Sequence, residues 1–416
     1  MKLGKYSFGI GDRFAHQGQY QLKGFLQALE QGVVITPVWN KSNREHITVG
    51  SSPLRVRIEA DEAVKQLGWN KDYFVDADHI TLDTVDRFIA PSNFFTLDVA
   101  DKINTPLSPS ELALFLSDHQ QYLGQLKIEG VEEAFTITED TLSAIANKFY
   151  KAIQEARRIY DSINEQKASQ SFAVEVSMDE VEYPQTPLEL FFILLLLSES
   201  NIPVDTIAPK FTGRFNKGVD YDGDINAFSQ EFEQDILVIK HCIKYFKLPK
   251  NLKLSVHTGS DKFSLYPVIH NLIKKHDVGL HLKTAGTTWL EELIGLAESE
   301  GDGLNLAKSI YQSAMARYDE LTGPYATVLN IDREKLPSFG IVDRWSGELF
   351  ALSLRHNQSD ELYNPDFRQL LHTAYKIAAE RGHEYLSALT RDSEIIGRNV
   401  HENIFNRHIT PLFLGK

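Results

Sequence analysis

The sequence predicts an α/β fold: a TIM-like (β/α)8 barrel with a helical insertion after its fourth strand and a helical C-terminal region. Three observations predict it. Eight short β-rich segments end in polar or chemistry-bearing residues. Helical stretches mostly separate them, the alternation of a parallel sheet covered on both faces. No long Gly/Ser/Pro linker interrupts the 416 residues, so the chain reads as one elaborated domain. A doubly wound open sheet shares the alternation. Eight strands favour closure, with the active site at their carboxyl ends.

The eight segments, in order, are Ser7–Phe14, Val33–Trp39, Tyr73–His79, Phe94–Ala100, Phe172–Met178, Thr206–Phe211, Leu252–His257 and Gly279–Lys283. After the fourth, residues of about 108–164 read as mostly helical. Ser108-Pro-Ser-Glu111 and Thr138-Glu-Asp140 are both helix-start patterns. The run Leu188–Leu197 is too short to span a bilayer and follows Pro187, so it reads as a buried helix. From about residue 288 to 416 the chain is again mainly helical, through Trp289–Glu300, Leu304–Leu321 and Asp366–Arg381. The insertion and this C-terminal third are the surfaces on which a homo-oligomer could form.

Composition excludes several classes. Hydrophobic residues make up 42% and charged residues 24%, enough apolar material for a large core. The formal net charge of -14 argues against nucleic-acid or anionic-membrane partners. One cysteine, Cys242, allows neither an intrachain disulfide nor a thiolate cluster, and fits a reducing, cytoplasmic setting. The N-terminus has no apolar signal core. Rossmann, Walker, zinc-protease and nucleophile-elbow motifs are absent.

Chemistry-bearing residues gather at the segment ends. Val75-Asp-Ala-Asp-His79 puts Asp78 and His79 where a barrel mouth would be, a pairing suited to metal binding or proton transfer, although helix capping and a surface histidine are the plain alternative. Leu254-Ser-Val-His-Thr-Gly-Ser-Asp-Lys262 runs a strand into His257. Gly279-Leu-His-Leu-Lys-Thr284 sets His281 and Lys283 two apart, on one face. Three strand-end histidines in a chain with one cysteine point to a nitrogen-rich site for a divalent metal: zinc, nickel, manganese, cobalt or iron. In Ala173-Val-Glu-Val-Ser-Met-Asp-Glu180, Glu175, Ser177 and Asp179 share one face. A glutamate inside a barrel needs a metal, a lysine or a proton-transfer task, whereas Asp179 or Glu180 could simply cap the next helix. Lys210, Arg214 and Lys217 concentrate positive charge at and beyond the end of the sixth segment, which suits a carboxylate or phosphate ligand or an ordinary exposed loop. Arg355-His-Asn357 is a late candidate for the pocket.

At these residues the chain resembles the tagaturonate epimerase family of bacterial hexuronate catabolism. The likeness lies in Gly9-Ile-Gly-Asp-Arg-Phe14, Val75–His79, Val174–Glu180, Phe211–Tyr221, Ser255–Lys262 and His281–Trp289. The resemblance implies a divalent metal and interconversion of D-tagaturonate and D-fructuronate, small-molecule uronates. It implies Asp78 and Glu175 as acid/base groups, with Asp179 and Glu180 as alternatives to the glutamate, and His79, His257 and His281 as metal ligands. Lys217, Lys283 and Arg355 are candidates for the substrate carboxylate. The two uronates differ at the carbon β to the ketone, whose hydrogen neither carbonyl acidifies. A retro-aldol cleavage with re-addition on the other aldehyde face is therefore expected. A metal-dependent isomerase or aldolase for another keto sugar, and a non-catalytic carbohydrate-binding barrel, are the competing readings.

Overall fold

The computed structural model describes residues 1–284 and 287–416. Ten strands occur among them: β1 Tyr6–Gly11, β2 Ile35–Ser42, β3 Phe74–Ile80, β4 Phe94–Asp98, β5 Gly124–Leu126, β6 Phe135–Ile137, β7 Ala173–Ser177, β8 Thr206–Ala208, β9 Lys253–His257 and β10 Leu280–Thr284. All but β5 and β6 form a closed barrel in the order β1-β10-β9-β8-β7-β4-β3-β2. Every neighbouring pair is parallel, and Tyr6↔Leu280 with Ser7↔His281 closes the ring. Closure excludes the open-sheet alternative.

Toward their carboxyl ends the strands are apolar outward and polar inward, while Val38, Phe74, Phe94 and Ala173 form a small apolar cluster of their own. Val174 and Val176 join the core beneath the helices, whereas Glu175 and Ser177, which alternate with them, face the interior. On β1, Phe8 packs its ring 5.8 Å from that of Phe25 on the first helix. Gly9 faces inward beside Lys283. A Cβ on Gly9 would lie 3.1 Å from the Lys283 Cγ, so the small residue makes room for the lysine stem.

The helix Pro187–Glu199 starts at a Thr186/Glu189 capping box with proline in its first turn, and Leu190–Leu197 are all buried. The segment expected to be a helical insertion is more varied. Helices Pro109–His119 and Glu139–Lys167 begin at caps Ser108 and Thr138, but the antiparallel hairpin β5–β6 lies between them. Its strands are only three residues each, too short for a period-2 pattern to stand out. The C-terminal third is helical from Thr287–Glu298 to Asn403–Leu414 and packs on the barrel through contacts such as Tyr6–Phe413. No helix among the described residues is long and apolar enough to cross a membrane.

Candidate metal and proton-transfer site

The carboxyl ends of β3, β4, β7, β9 and β10 bring most of the expected residues into one mouth. Lys283 is the hub. Its Nζ lies 2.7 Å from Asp76 Oδ2, 2.7 Å from Asp78 Oδ1 and 3.3 Å from Glu175 Oε1, and it donates to Thr96 Oγ1 at 2.7 Å. Burial disfavours its charged form, but the three carboxylates outweigh that and hold its pKa well above the ordinary value. Burial alone would keep Asp78 and Glu175 neutral. The Lys283 ammonium, with His79 beside Asp78 and His257 beside Glu175, reverses this and leaves both carboxylates ionised. Asp76 differs: burial and repulsion by Asp78 and Glu175 exceed its attraction to Lys283, and its pKa rises to about 7.

Glu175 is wholly buried and its oxygens are committed. Oε2 accepts from Thr206 at 2.6 Å. Oε1 accepts from Thr96 at 3.2 Å and lies 2.8 Å from His257 Nε2. On the other side of that ring, His257 Nδ1 lies 3.1 Å from Asp179 Oδ2, and Ser177 Oγ donates to Asp179 Oδ1. Asp179 and Glu175 together lift the His257 pKa to about 9 against the effect of burial.

Asp78 and His79 are adjacent, so regular alternation would send them to opposite faces. The strand avoids this. The β3–β4 register shifts between Ala77 and Ile80, and His79 takes a left-handed backbone, φ 50°. Such a conformation costs on the order of 1–3 kcal/mol in a non-glycine residue. It turns His79 back into the mouth, with Nε2 3.6 Å from Asp78 Oδ1 and Nδ1 3.7 Å from Asp98 Oδ2. Burial opposes a charged His79, yet Asp78, Asp98 and Asp179 raise its pKa well above the ordinary value.

One ligand atom from each of His79, Asp179 and His257 lies within 4.8 Å of the others. The ring centroids of the two histidines are 5.2 Å apart, and the Nδ1 atom of each is buried without a well-aligned hydrogen bond among the described residues. Two imidazoles and a carboxylate are a donor set for a divalent cation, and Glu175 behind His257 is the carboxylate that usually orients a ligating histidine.

The other expected residues lie elsewhere. His281 sits two positions before Lys283, one layer deeper. Its Nδ1 is 2.9 Å from Ser7 Oγ, its ring is 5.3 Å from that of Phe94, and burial lowers its pKa to about 3. It is not among the three side chains that converge. Arg355 follows the helix Gly347–Leu354 and holds Glu298 at 2.6 Å and Asn399 at 2.9 Å. Glu298 ends the helix Thr287–Glu298, so the pair lies about 16 Å from that helix's start by its rise per residue. Lys217 is at the rim, with Nζ 5.3 Å from the Tyr325 ring centre. Of the motif His281–Trp289, Ala285 and Gly286 lie outside the described residues. The sequence does not single out Asp76 or Asp98, and it suggests Asp179 only as a helix cap or an alternative acid/base group, not as a donor to the cation set. Asp98 ends β4 inside an apolar run that reads as ordinary strand.

Comparison with known proteins bears on the whole chain. Residues 1–410 match the family described as tagaturonate epimerase. A protein of Thermotoga maritima described as tagaturonate/fructuronate epimerase is 28% identical over 345 residues. That alignment covers 80% of this chain and 66% of the relative, so the chain spans just under two thirds of that relative's length. A glycerol-bound structure of the fructuronate-tagaturonate epimerase of Cohnella laeviribosi is 25% identical, with TM-score 0.81, covering 99% of this chain and 83% of that one. Its native structure is 24% identical, with TM-score 0.78, over 96% and 81% of the two chains, and supports the fold.

Proposed function

The chain belongs to the tagaturonate epimerase family, and on that premise we propose that it interconverts D-tagaturonate and D-fructuronate by metal-dependent retro-aldol cleavage and re-addition. The observation that carries this reading is the joining of the His79–Asp179–His257 group to an ionised Asp78 in one barrel mouth. A divalent cation held by these three side chains would supply Lewis-acid stabilisation of negative charge on the ketone end of the substrate.

The chain's own groups account for the proton movements. Asp78, kept ionised by Lys283, takes the proton of the hydroxyl on the carbon β to the ketone. The bond from that carbon to its neighbour α to the ketone breaks as the aldehyde forms, and the electron pair passes to the ketone fragment. Re-addition to the opposite aldehyde face needs a second proton-transfer group. Asp98, whose side chain remains 21% exposed beside His79, is our candidate. Glu175, the partner expected from sequence, is wholly buried with both oxygens hydrogen-bonded inside the protein. We assign it to hold His257 and Lys283 in place. Cytoplasmic location belongs to the same proposal, since a reducing compartment suits the single free, buried Cys242.

The test is an assay of protein stripped with chelator and reloaded with manganese, cobalt, nickel, zinc or iron(II), on D-tagaturonate in D2O with NMR detection. Expected are metal-restored formation of D-fructuronate and no deuterium at the inverted carbon. Deuterium there would overturn the retro-aldol route, and no turnover with any of these metals would overturn the activity.

A further inference from the structure

We propose that the substrate's carboxylate is received by Arg13 and Lys217, supported by Arg44, in a subsite walled by Tyr325 and Tyr375. This rests on the uronate reading above and deepens it. Neither Lys283 nor Arg355 is free for the task, the first surrounded by three carboxylates and the second paired with Glu298.

Arg13 is only 6% exposed. Its Nε donates to Glu45 Oε1 at 3.1 Å, but Nη1 is buried with no hydrogen-bond partner among the described residues. A buried guanidinium N–H left unpaired costs free energy unless a ligand completes it. The Arg13 Cζ lies 4.0 Å from the Tyr375 ring centre, and Arg44 Cζ and Lys217 Nζ each lie 5.3 Å from that of Tyr325. The two tyrosine hydroxyls are 3.1 Å apart, joining the walls. Burial, and then the like charges of Arg44 and Arg13, push the Lys217 pKa down, with Glu45 and Glu180 the carboxylates that partly offset this. Arg13 and Arg44 act on Lys217 as like charges, and this grouping of cations suits an anionic ligand in a chain of net charge -14.

The backbone beneath these cations is anchored. The Asp12 carboxylate accepts from the backbone N–H groups of Phe14, Ala15 and His16 at 2.9 Å each and of Gln17 at 2.6 Å, which fixes the loop carrying Arg13. Lys217 N–H donates to Val328 O at 2.8 Å, and Gly218 N–H to Ser260 Oγ at 2.9 Å. Arg44 sits in a short helix closed by the Ser42/Glu45 capping box.

The subsite and the cation group share one rim. Arg13 follows β1 and Arg44 follows β2, whose Ser42 is in register with Asp78. Glu45 is close enough to Asp78 for their charges to repel. Glu180, next in chain to Asp179, is near enough to both Arg44 and Lys217 for its charge to favour theirs. A uronate could thus place its ketone end at the cation group and its carboxylate here. A guanidinium reads a carboxylate through directed N–H bonds that a neutral hydroxymethyl group cannot reciprocate.

The experiment compares metal-loaded wild type, Arg13→Gln and Lys217→Met in steady-state kinetics on D-tagaturonate and neutral D-tagatose, with calorimetric titration of both compounds. Arg13 is packed in the core, so the rim variant Lys217→Met keeps the test decisive if Arg13→Gln fails to fold. Expected is a rise of about 10- to 100-fold in KM and Kd for the uronate, the range for losing one charge-assisted hydrogen bond, with kcat little changed and D-tagatose unaffected. If wild type turns over D-tagaturonate and the folded variants keep its KM and its preference over D-tagatose, the subsite is overturned and the epimerase reading stands. If wild type turns over neither compound, the epimerase reading fails. The titrations then judge the subsite alone: weaker uronate binding in the variants supports it, and unchanged binding overturns it.

Discussion

At the scale of the residue, the barrel interior is an exercise in charge balance. Lys283 stands among Asp76, Asp78 and Glu175, with Gly9 opening the space for its stem. Removing the cation would leave three buried carboxylates facing one another. Lys283→Met is expected to destabilise the protein by about 3–5 kcal/mol, and adding Asp76→Asn should recover part of the loss; urea unfolding of the single and double variants checks both. Lys253 shows the opposite balance at the other end of the barrel. It is 2% exposed, its Nζ donates to Gly4 O, and burial lowers its pKa to about 7 despite Asp205 and Glu175. An unfolded lysine titrates near about 10.4, so between these values the unfolded chain binds the extra proton and stability rises with pH. The penalty is complete below pH 7 and gone above the unfolded pKa. Thermal unfolding between pH 6 and pH 10 should show this rise, and Lys253→Met should flatten it.

At the scale of the element, loops and caps decide how precisely side chains are held. The carboxylate of Asp12 organises residues 14–17 by accepting four backbone N–H groups. An amide in its place has one acceptor oxygen and adds two donors. Asp12→Asn is therefore expected to accelerate amide hydrogen exchange across Phe14–Gln17, read by exchange mass spectrometry; unchanged protection there would show that packing alone holds the loop. The helix Pro187–Glu199 depends on its Thr186 cap, and Thr186→Ala should cost about 1 kcal/mol of stability. The β3 bulge is the other decisive local feature, since it lets neighbouring Asp78 and His79 face one mouth.

At the scale of the whole molecule, one buried carboxylate ties the C-terminal helices to the barrel. Asp261, just after β9, is held by Arg368 Nη2 at 2.7 Å and Thr287 Oγ1 at 3.1 Å, with His356 Nδ1 at 3.2 Å and His408 Nε2 at 3.4 Å. Burial would raise its pKa, but Arg368 and the two histidines hold it well below the ordinary value. A depressed carboxylate contributes stability that is present above its unfolded pKa of about 3.9 and lost as pH falls through the folded value. Acid unfolding below about pH 4 should therefore be shallower in Asp261→Asn. That variant should also lose about 3–5 kcal/mol at neutral pH, because Arg368 is left buried without its partner charge. Denaturant titrations at pH 3 and pH 7 test both limbs.

Much of this was legible in the chain itself. Eight strands with helices between them, polar residues at strand ends and capped helix starts are local patterns, set by side-chain periodicity and backbone hydrogen bonding. Those patterns determined the barrel and nominated Asp78, His79, Glu175, His257, His281 and Lys283 as inhabitants of one mouth. Tertiary structure alone decided which of them meet. Depth along a strand changes by about 6.6 Å for two residues, which puts His281 a layer below Lys283. Asp179, beyond the end of β7, instead reaches His257. The Arg13–Arg44–Lys217 group is assembled from segments up to 204 positions apart, since Lys217 lies that far beyond Arg13. No spacing rule reaches across such distances. Only closure of the barrel, with the C-terminal tyrosines folded over its rim, brings those charges together.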